Sequence, residues 1–178
     1  ASFGHGITTT PLQLAKGYAI IANGGFDVRP TIIKDNDEKI IKYKKELINK
    51  NVSKKINFIL RKIVTNKEGT ASLANVAGYE IGGKTGTAEK IVLGKYSSKK
   101  KINTFVSVFP ISEPKYVLVV ILDEPQINKD YVYNYRDGSN FKLKGTPRNT
   151  SGWTTVEATG HIVEKIGPIL ATKYMEIN

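Results

Sequence analysis

Apolar residues recur at helical spacing over positions 9 to 23. Leu12, Ala15, Ala19 and Ala22 fall three or four apart, beside Leu14, Tyr18 and Ile21, and this periodicity predicts a helix. Thr10 is placed to cap it, and Pro11 suits its first position, where the missing N–H would have no intrahelical partner. Gly24-Gly25 can close it in the left-handed conformation. The β-branched run Val28 to Lys34 predicts a strand, Asn36-Asp37 a turn, and Lys39 to Tyr43 a returning strand. Ser53 is placed to cap a second helix through about Asn66, with Ile56, Ile59, Leu60, Ile63 and Val64 on its buried side and Gly69 as its stop. Thr70 to Tyr79 is rich in small residues and reads as a loop with room for one helical turn.

The pattern then changes. Glu80 to Leu93 predicts a strand interrupted by glycines, Gly94 to Lys101 a polar, basic turn, and Ile102 to Phe109 a second strand. Pro110 to Pro114 is a tight connection. Tyr116 to Leu122 is apolar throughout, which predicts a central strand. Connections this short require an antiparallel meander. Residues 126–151 are polar and aromatic and read as a long loop. A final helix is expected from Thr154 or Thr155 to about Tyr174, with Val156, Ile162, Val163, Ile166, Ile169 and Leu170 on its apolar side and a kink at Gly167-Pro168. Helices set against an antiparallel sheet give an α/β fold class of the α+β type.

Composition narrows this picture. A chain of 178 residues predicts one domain or a large piece of one, and no apolar run reaches membrane-spanning length. Ala1-Ser2-Phe3-Gly4 lacks the basic start and apolar middle of a signal peptide. The net charge of +11 is compatible with nucleic acid, an anionic membrane or a wall polymer. Yet the lysines are scattered, as in Lys42, Lys44, Lys45, Lys50, Lys54 and Lys55, and only Lys99-Lys100-Lys101 forms a tight run. That favours compositional bias over a polyanion site, and no nucleic-acid partner is expected. The absence of cysteine excludes disulfides, thiolate metal sites and a cysteine nucleophile. His5 and His161 are too few for a histidine metal cluster. His161 reads as packing or surface, and His5 could line a cleft. No metal or cofactor is indicated.

The chemistry concentrates at Lys84-Thr85-Gly86-Thr87. A strand lysine offers a cation and three donors to an anionic ligand, and the threonine hydroxyls add hydrogen bonds. Gly86 has no side chain, so an extended peptide can lie along the strand edge and pair its main chain there. The Thr87 N–H could then face a reacting carbonyl, where such a donor contributes about 3 kcal/mol. Four letters alone favour a strand with a solvated lysine and a glycine bulge.

The surroundings weigh against that bland reading. Gly4-His5-Gly6, then Thr10-Pro11-Leu12-Gln13-Leu14-Ala15 with Tyr18-Ala19, Gly69-Thr70-Ala71, Gly82 to Ala88, Phe105 to Pro110, Tyr116 to Asp123 and Gly152-Trp153-Thr154 stand in order. Together they resemble the C-terminal half of the transpeptidase domain of class B penicillin-binding proteins, most like the division-specific type. A Lys-Thr-Gly box is one of the signature boxes of such serine enzymes. The resemblance implies a β-lactamase/transpeptidase-like five-stranded antiparallel sheet flanked by helices, of which residues 1–178 supply the last three strands and the terminal helix. It implies serine acylation by a D-Ala-D-Ala stem peptide or a β-lactam, followed by peptidoglycan cross-linking. Lys84 and Thr87 would be catalytic, and Thr85, Gly86 and Thr87 would bind substrate. It also implies division or elongation proteins as partners, and a place on the outer side of the bacterial inner membrane, held by an N-terminal anchor outside this chain.

The family's Ser-x-x-Lys and Ser-x-Asn boxes should precede Lys84, and neither does. Ser97, Ser98, Ser112 and Ser139 each begin a Ser-x-x-Lys match, but all follow Lys84 in expected turns or loops. The chain by itself is therefore expected to lack the nucleophile. Two other readings stay open here: a fragment of a serine β-lactamase or D,D-carboxypeptidase, and a non-enzymatic basic module binding an anionic polymer.

Overall fold

The computed structural model describes residues 7–33, 45–144 and 148–175, the side chains of the last two excepted. Helices α1 (Pro11–Ala22) and α2 (Lys50–Thr65) precede a meander of β1 (Gly82–Val92), β2 (Lys95–Phe109) and β3 (Tyr116–Asp123). A small hairpin, β4 (Val132–Asn134) with β5 (Lys142–Lys144), and the terminal helix α3 (Thr155–Met175) follow.

Local chemistry sets the first helix. The Gln13 N–H donates to Thr10 Oγ1 at 3.1 Å and the Thr10 N–H to Gln13 Oε1 at 2.9 Å, a reciprocal capping box. At the other end the Gly25 N–H reaches Ile20 O at 3.0 Å, with Gly24 at φ +98°, the glycine closure expected. The strand expected at Val28 to Lys34 does not form over 28–33. Asp27 accepts from the Val28 N–H and Thr31 Oγ1 from the Ile33 N–H, and Pro30 has no N–H to give a ladder. Such local bonds compete with sheet pairing, and only a bridge between Phe26 and Glu46 remains. The turn at Asn36-Asp37 and the strand at Lys39 to Tyr43 lie outside the described residues.

Asn49, not Ser53, caps α2, accepting from the Asn51 N–H at 2.8 Å. Ser53 sits inside the helix and donates its hydroxyl to Ile21 O at 2.5 Å, which ties α2 to α1. The buried stripe therefore runs Ser53, Leu60, Val64. Ile59, one step round the helix from Leu60, is 55% exposed.

The sheet order is β1-β2-β3, all antiparallel. Leu93 and Gly94, at φ +50° and +76°, make the whole β1–β2 turn, because both central residues of such a tight hairpin need positive φ. The basic turn expected over Gly94 to Lys101 is thus part of β2. Its lysines suggest a loop by propensity, but hairpin pairing overrides so weak a preference. Register jumps from Glu89↔Lys101 to Lys90↔Ser97, so the extra residues bulge on β2. The middle strand is β2. Among the described residues β3 pairs only with β2, and none of its residues is fully buried; its other edge is the one that further strands of the expected five-stranded sheet would cover. Its apolar side chains meet α1 and α3.

Phe105, Val156, Val163, Leu73, Ile81 and Val64 form the core. The segment 126–151 is not one loop. It carries the β4–β5 hairpin and sends Tyr133 into the core, 4% exposed. The alternation Tyr131, Tyr133, Tyr135 marks such a strand. Helix α3 runs on through Pro168, buries Val156 and Val163, and leaves Ile169 59% exposed. It packs close where it has glycine: a Cβ on Gly167 would come within 2.3 Å of the Tyr79 ring. Among the described residues no helix is long and apolar enough to cross a membrane.

Candidate active site

Lys84, Thr85, Gly86 and Thr87 lie consecutively on β1, opposite Val106, Phe105, Thr104 and Asn103. Alternation along the strand puts Thr85 and Thr87 on one face and Lys84 and Gly86 on the other. The outer edge of β1 pairs with no strand among the described residues.

The two threonines line a groove of about 490 Å³, whose opposite wall includes Thr70, Arg148, Ser151 and Trp153. Each hydroxyl is held from a distant part of the chain. Thr85 Oγ1 lies 3.2 Å from Thr70 Oγ1. Thr87 Oγ1 accepts the Ser151 N–H at 3.0 Å, which leaves the Thr87 O–H free to donate. Ser151 is itself fixed, its hydroxyl lying 2.6 Å from Thr104 O and 2.7 Å from Thr155 Oγ1. Together these groups make a row of donors suited to a carboxylate at an open strand edge.

Lys84 is exposed and donates to Thr85 O at 2.7 Å. No carboxylate pairs with it among the described residues. The glycines divide by role. A Cβ on Gly83 would press within 2.5 Å of the Phe105 ring and Val106 O, whereas one on Gly86 would meet only Thr104, at 3.9 Å. Packing therefore requires Gly83, while Gly86 leaves a surface bare.

The Ser-x-x-Lys matches give no nucleophile. Ser97 and Ser98 lie in β2, while Ser112 and Ser139 are in bends, none at the start of a helix. One member of the lysine run is paired, Lys100 with Glu124 at 3.5 Å, and nearby Lys90 contacts Asp123 at 3.0 Å and Glu124 at 2.8 Å. The hydrogen bond from Lys90 holds the Glu124 carboxyl below its ordinary range. His5 lies outside the described residues.

Thr70 and Ser151 have no role assigned from sequence. They meet β1 from positions far along the chain; Thr70 belongs to the segment Gly69-Thr70-Ala71, and Ser151 only adjoins Gly152-Trp153-Thr154. A second polar cluster stands beside the groove. Arg136 and Glu157, with side chains 4% and 6% exposed, form a two-pronged pair at 2.9 and 3.0 Å. Burial alone would lower the Arg136 guanidinium, but the hydrogen bonds and charge of Glu157 outweigh it and push it up. The Tyr131 hydroxyl donates to Glu157 at 3.0 Å and lies 3.1 Å from His161 Nε2. Burial first, then the Glu157 charge, push the Tyr131 phenol up to about 12.

Comparison with known proteins gives a consistent picture. Residues 1–140 match the family described as the penicillin binding protein transpeptidase domain. A probable peptidoglycan D,D-transpeptidase FtsI of Caulobacter vibrioides is 30% identical over 97% of this chain and 28% of its own length. The FtsI homolog of Mesostigma viride is 34% identical over 71% of this chain and 24% of its own. Among solved structures, the apo transpeptidase domain of Burkholderia pseudomallei penicillin-binding protein 3 superposes with a TM-score of 0.70 at 26% identity, covering 94% of this chain and 45% of that one. Penicillin-binding protein 3 of Mycobacterium tuberculosis, complexed with ampicillin, gives 0.66 at 25% identity, covering 92% of this chain and 36% of that one. The chain thus spans about a quarter of the length of these curated relatives.

Proposed function

This chain belongs to the penicillin-binding protein transpeptidase family, and we propose that it supplies the substrate-binding strand of a peptidoglycan D,D-transpeptidase. The observation that carries the reading is the pair Thr85 and Thr87 on one face of an unpaired edge strand, lining a groove. A stem peptide ending in D-Ala-D-Ala, or a β-lactam, lies along β1. Its carboxylate takes hydrogen bonds from the threonine hydroxyls, while Gly86 lets the peptide backbone approach.

The serine nucleophile and its lysine come from a segment of the protein outside this chain. The serine oxygen attacks the penultimate carbonyl, and the oxyanion that forms takes a hydrogen bond from the Thr87 N–H, a contribution of about 3 kcal/mol. Collapse expels D-alanine. An amine on a second stem peptide then takes the acyl group and regenerates the serine. Lys84 supplies positive charge beside the serine of the missing Ser-x-Asn box. The relatives' names favour cross-linking over β-lactam hydrolysis or carboxypeptidation. Peptidoglycan belongs to the bacterial envelope, so the names also support an envelope location; division or elongation proteins as partners, and an active site on the outer side of the inner membrane, complete the proposal.

The test is acylation of the longer protein by a labelled β-lactam, with Lys84→Ala beside it. Stoichiometric labelling that collapses in Lys84→Ala is expected. Labelling at the same rate in both would overturn the role of the strand.

A further inference from the structure

Asn103 lies on β2 directly opposite Thr87, so the two side chains share one side of the sheet. The position is fully buried, yet it holds an amide rather than an apolar residue. Asn103 Nδ2 donates to Asn149 Oδ1 at 3.0 Å and to Thr154 Oγ1 at 2.9 Å. The Thr154 hydroxyl gives its own proton to Thr150 O at 3.0 Å, so it accepts from Asn103, which fixes the amide with its nitrogen toward the turn before α3. Asn103 Oδ1 is then buried with no partner among the described residues, and such an atom costs stability. An apolar side chain at 103 would avoid that cost. What the amide alone supplies is a pair of donors to two residues that straddle Ser151.

The turn depends on such a grip. Among the described residues, each of its hydrogen bonds to the sheet passes through a side chain. Asn103 holds Asn149 and Thr154, the Ser151 hydroxyl reaches Thr104 O, the Ser151 N–H reaches Thr87 Oγ1, and Asn149 Nδ2 reaches Lys99 O at 3.5 Å. From this geometry we infer that Asn103 is a positioning residue for acylation. By clasping the turn on both sides of Ser151 it holds the Ser151 N–H on Thr87 Oγ1, and so aims the Thr87 hydroxyl at the carboxylate of the substrate. Asn103 itself does not line the groove. Its effect is confined to the hydroxyl, because the Thr87 N–H belongs to the β1 backbone, which the turn does not hold. The inference rests on the transpeptidase reading for the identity of the ligand.

The experiment compares, in the longer protein, acylation by benzylpenicillin with acylation by its methyl ester, which offers the Thr87 hydroxyl no anion. Wild type should prefer the acid. In Asn103→Ala that preference should shrink about fivefold, the effect of one misplaced hydrogen bond, with the acid slowed and the ester not. Asn149→Ala and Thr154→Val, at partly exposed positions, break the clasp from the side of the turn and should shift the preference in the same direction. Amide exchange gives a second readout: the Ser151 N–H should exchange faster in all three variants while the amides of β2 keep their protection. A general loosening of the core would instead slow both compounds alike. An unchanged preference, both compounds slowed in proportion, or a Ser151 amide as protected as in wild type would overturn the inference. A wild-type protein that takes neither compound overturns the transpeptidase reading itself, and the inference falls with it.

Discussion

Ser151 donates its backbone N–H to Thr87 Oγ1 across 3.0 Å, joining the turn before the terminal helix to the strand that would receive substrate. The bond orients the Thr87 hydroxyl by occupying it as an acceptor. Thr87→Val removes that acceptor and strands the Ser151 N–H, at a cost of about 1–3 kcal/mol. Thr87→Ser should restore most of the stability and the β-lactam acylation rate, and Thr87→Val neither. Paired melting and acylation measurements check this, and a valine variant as stable as wild type would refute the coupling.

Gly83 and Gly86 should part company when each becomes alanine. The Gly83 variant overpacks against Phe105 and should lose about 1–3 kcal/mol. The Gly86 variant has room and should stay within about 0.5 kcal/mol of wild type. Its loss should appear instead in acylation, about tenfold or more, or about 1.4 kcal/mol of barrier. Urea unfolding and acylation rates together decide.

Lys84→Ala should leave stability within about 0.5 kcal/mol, because the side chain is exposed. Acylation should fall by about 100-fold or more, the scale of one electrostatic contact to a transition state. A variant that melts far below wild type would mean that Lys84 is structural.

The buried pair of Arg136 and Glu157 should behave unlike the surface pairs. Glu157→Gln leaves the buried guanidinium with only the exposed Glu164 carboxylate, 3.2 Å from its Nε, and should cost about 3 kcal/mol, the low end for a broken buried pair. At about 2–4 °C per kcal/mol for a chain of this size, calorimetry should show a drop on the order of 10 °C. Lys90→Gln, which breaks contacts screened by solvent, should leave the melting temperature close to that of wild type.

The raised Tyr131 phenol gives a signed pH dependence. The unfolded chain releases this proton near pH 10, and the folded chain near about 12. The contribution to stability is therefore complete below pH 10 and is lost as pH rises through that window. Tyr131→Phe should show a shallower decline over the same range in urea unfolding. Parallel declines would refute the assignment.

Much of the fold was readable because local chemistry fixed it. Thr10, Pro11 and Gly24-Gly25 delimit α1, and the meander followed from three apolar runs with short connections. The errors arose where tertiary pairing overruled local preference. Ser53 looked like a cap but serves as an interhelical donor. The lysines of 95–101 looked like a turn but continue β2. Residues 126–151 looked like loop although every second residue from Tyr131 to Tyr135 is aromatic. The motif strand was legible as a motif. Its groove was not, because Thr70 and Ser151 reach it only through folding, and because Arg136 and Glu157 are linked by no local pattern.

Ser151 also heads a ladder of hydroxyls inside the terminal helix. Thr155 bonds back to Ser151 O at 3.2 Å and Thr159 to Thr155 O at 2.8 Å, and both side chains are fully buried. The setting of the Thr87 hydroxyl is thus inherited from residues that no ligand touches. Substitutions at 155 or 159 can therefore shift the donor that the groove presents while leaving every side chain that lines it as it was, so variation in the groove's chemistry can be stored inside the helix.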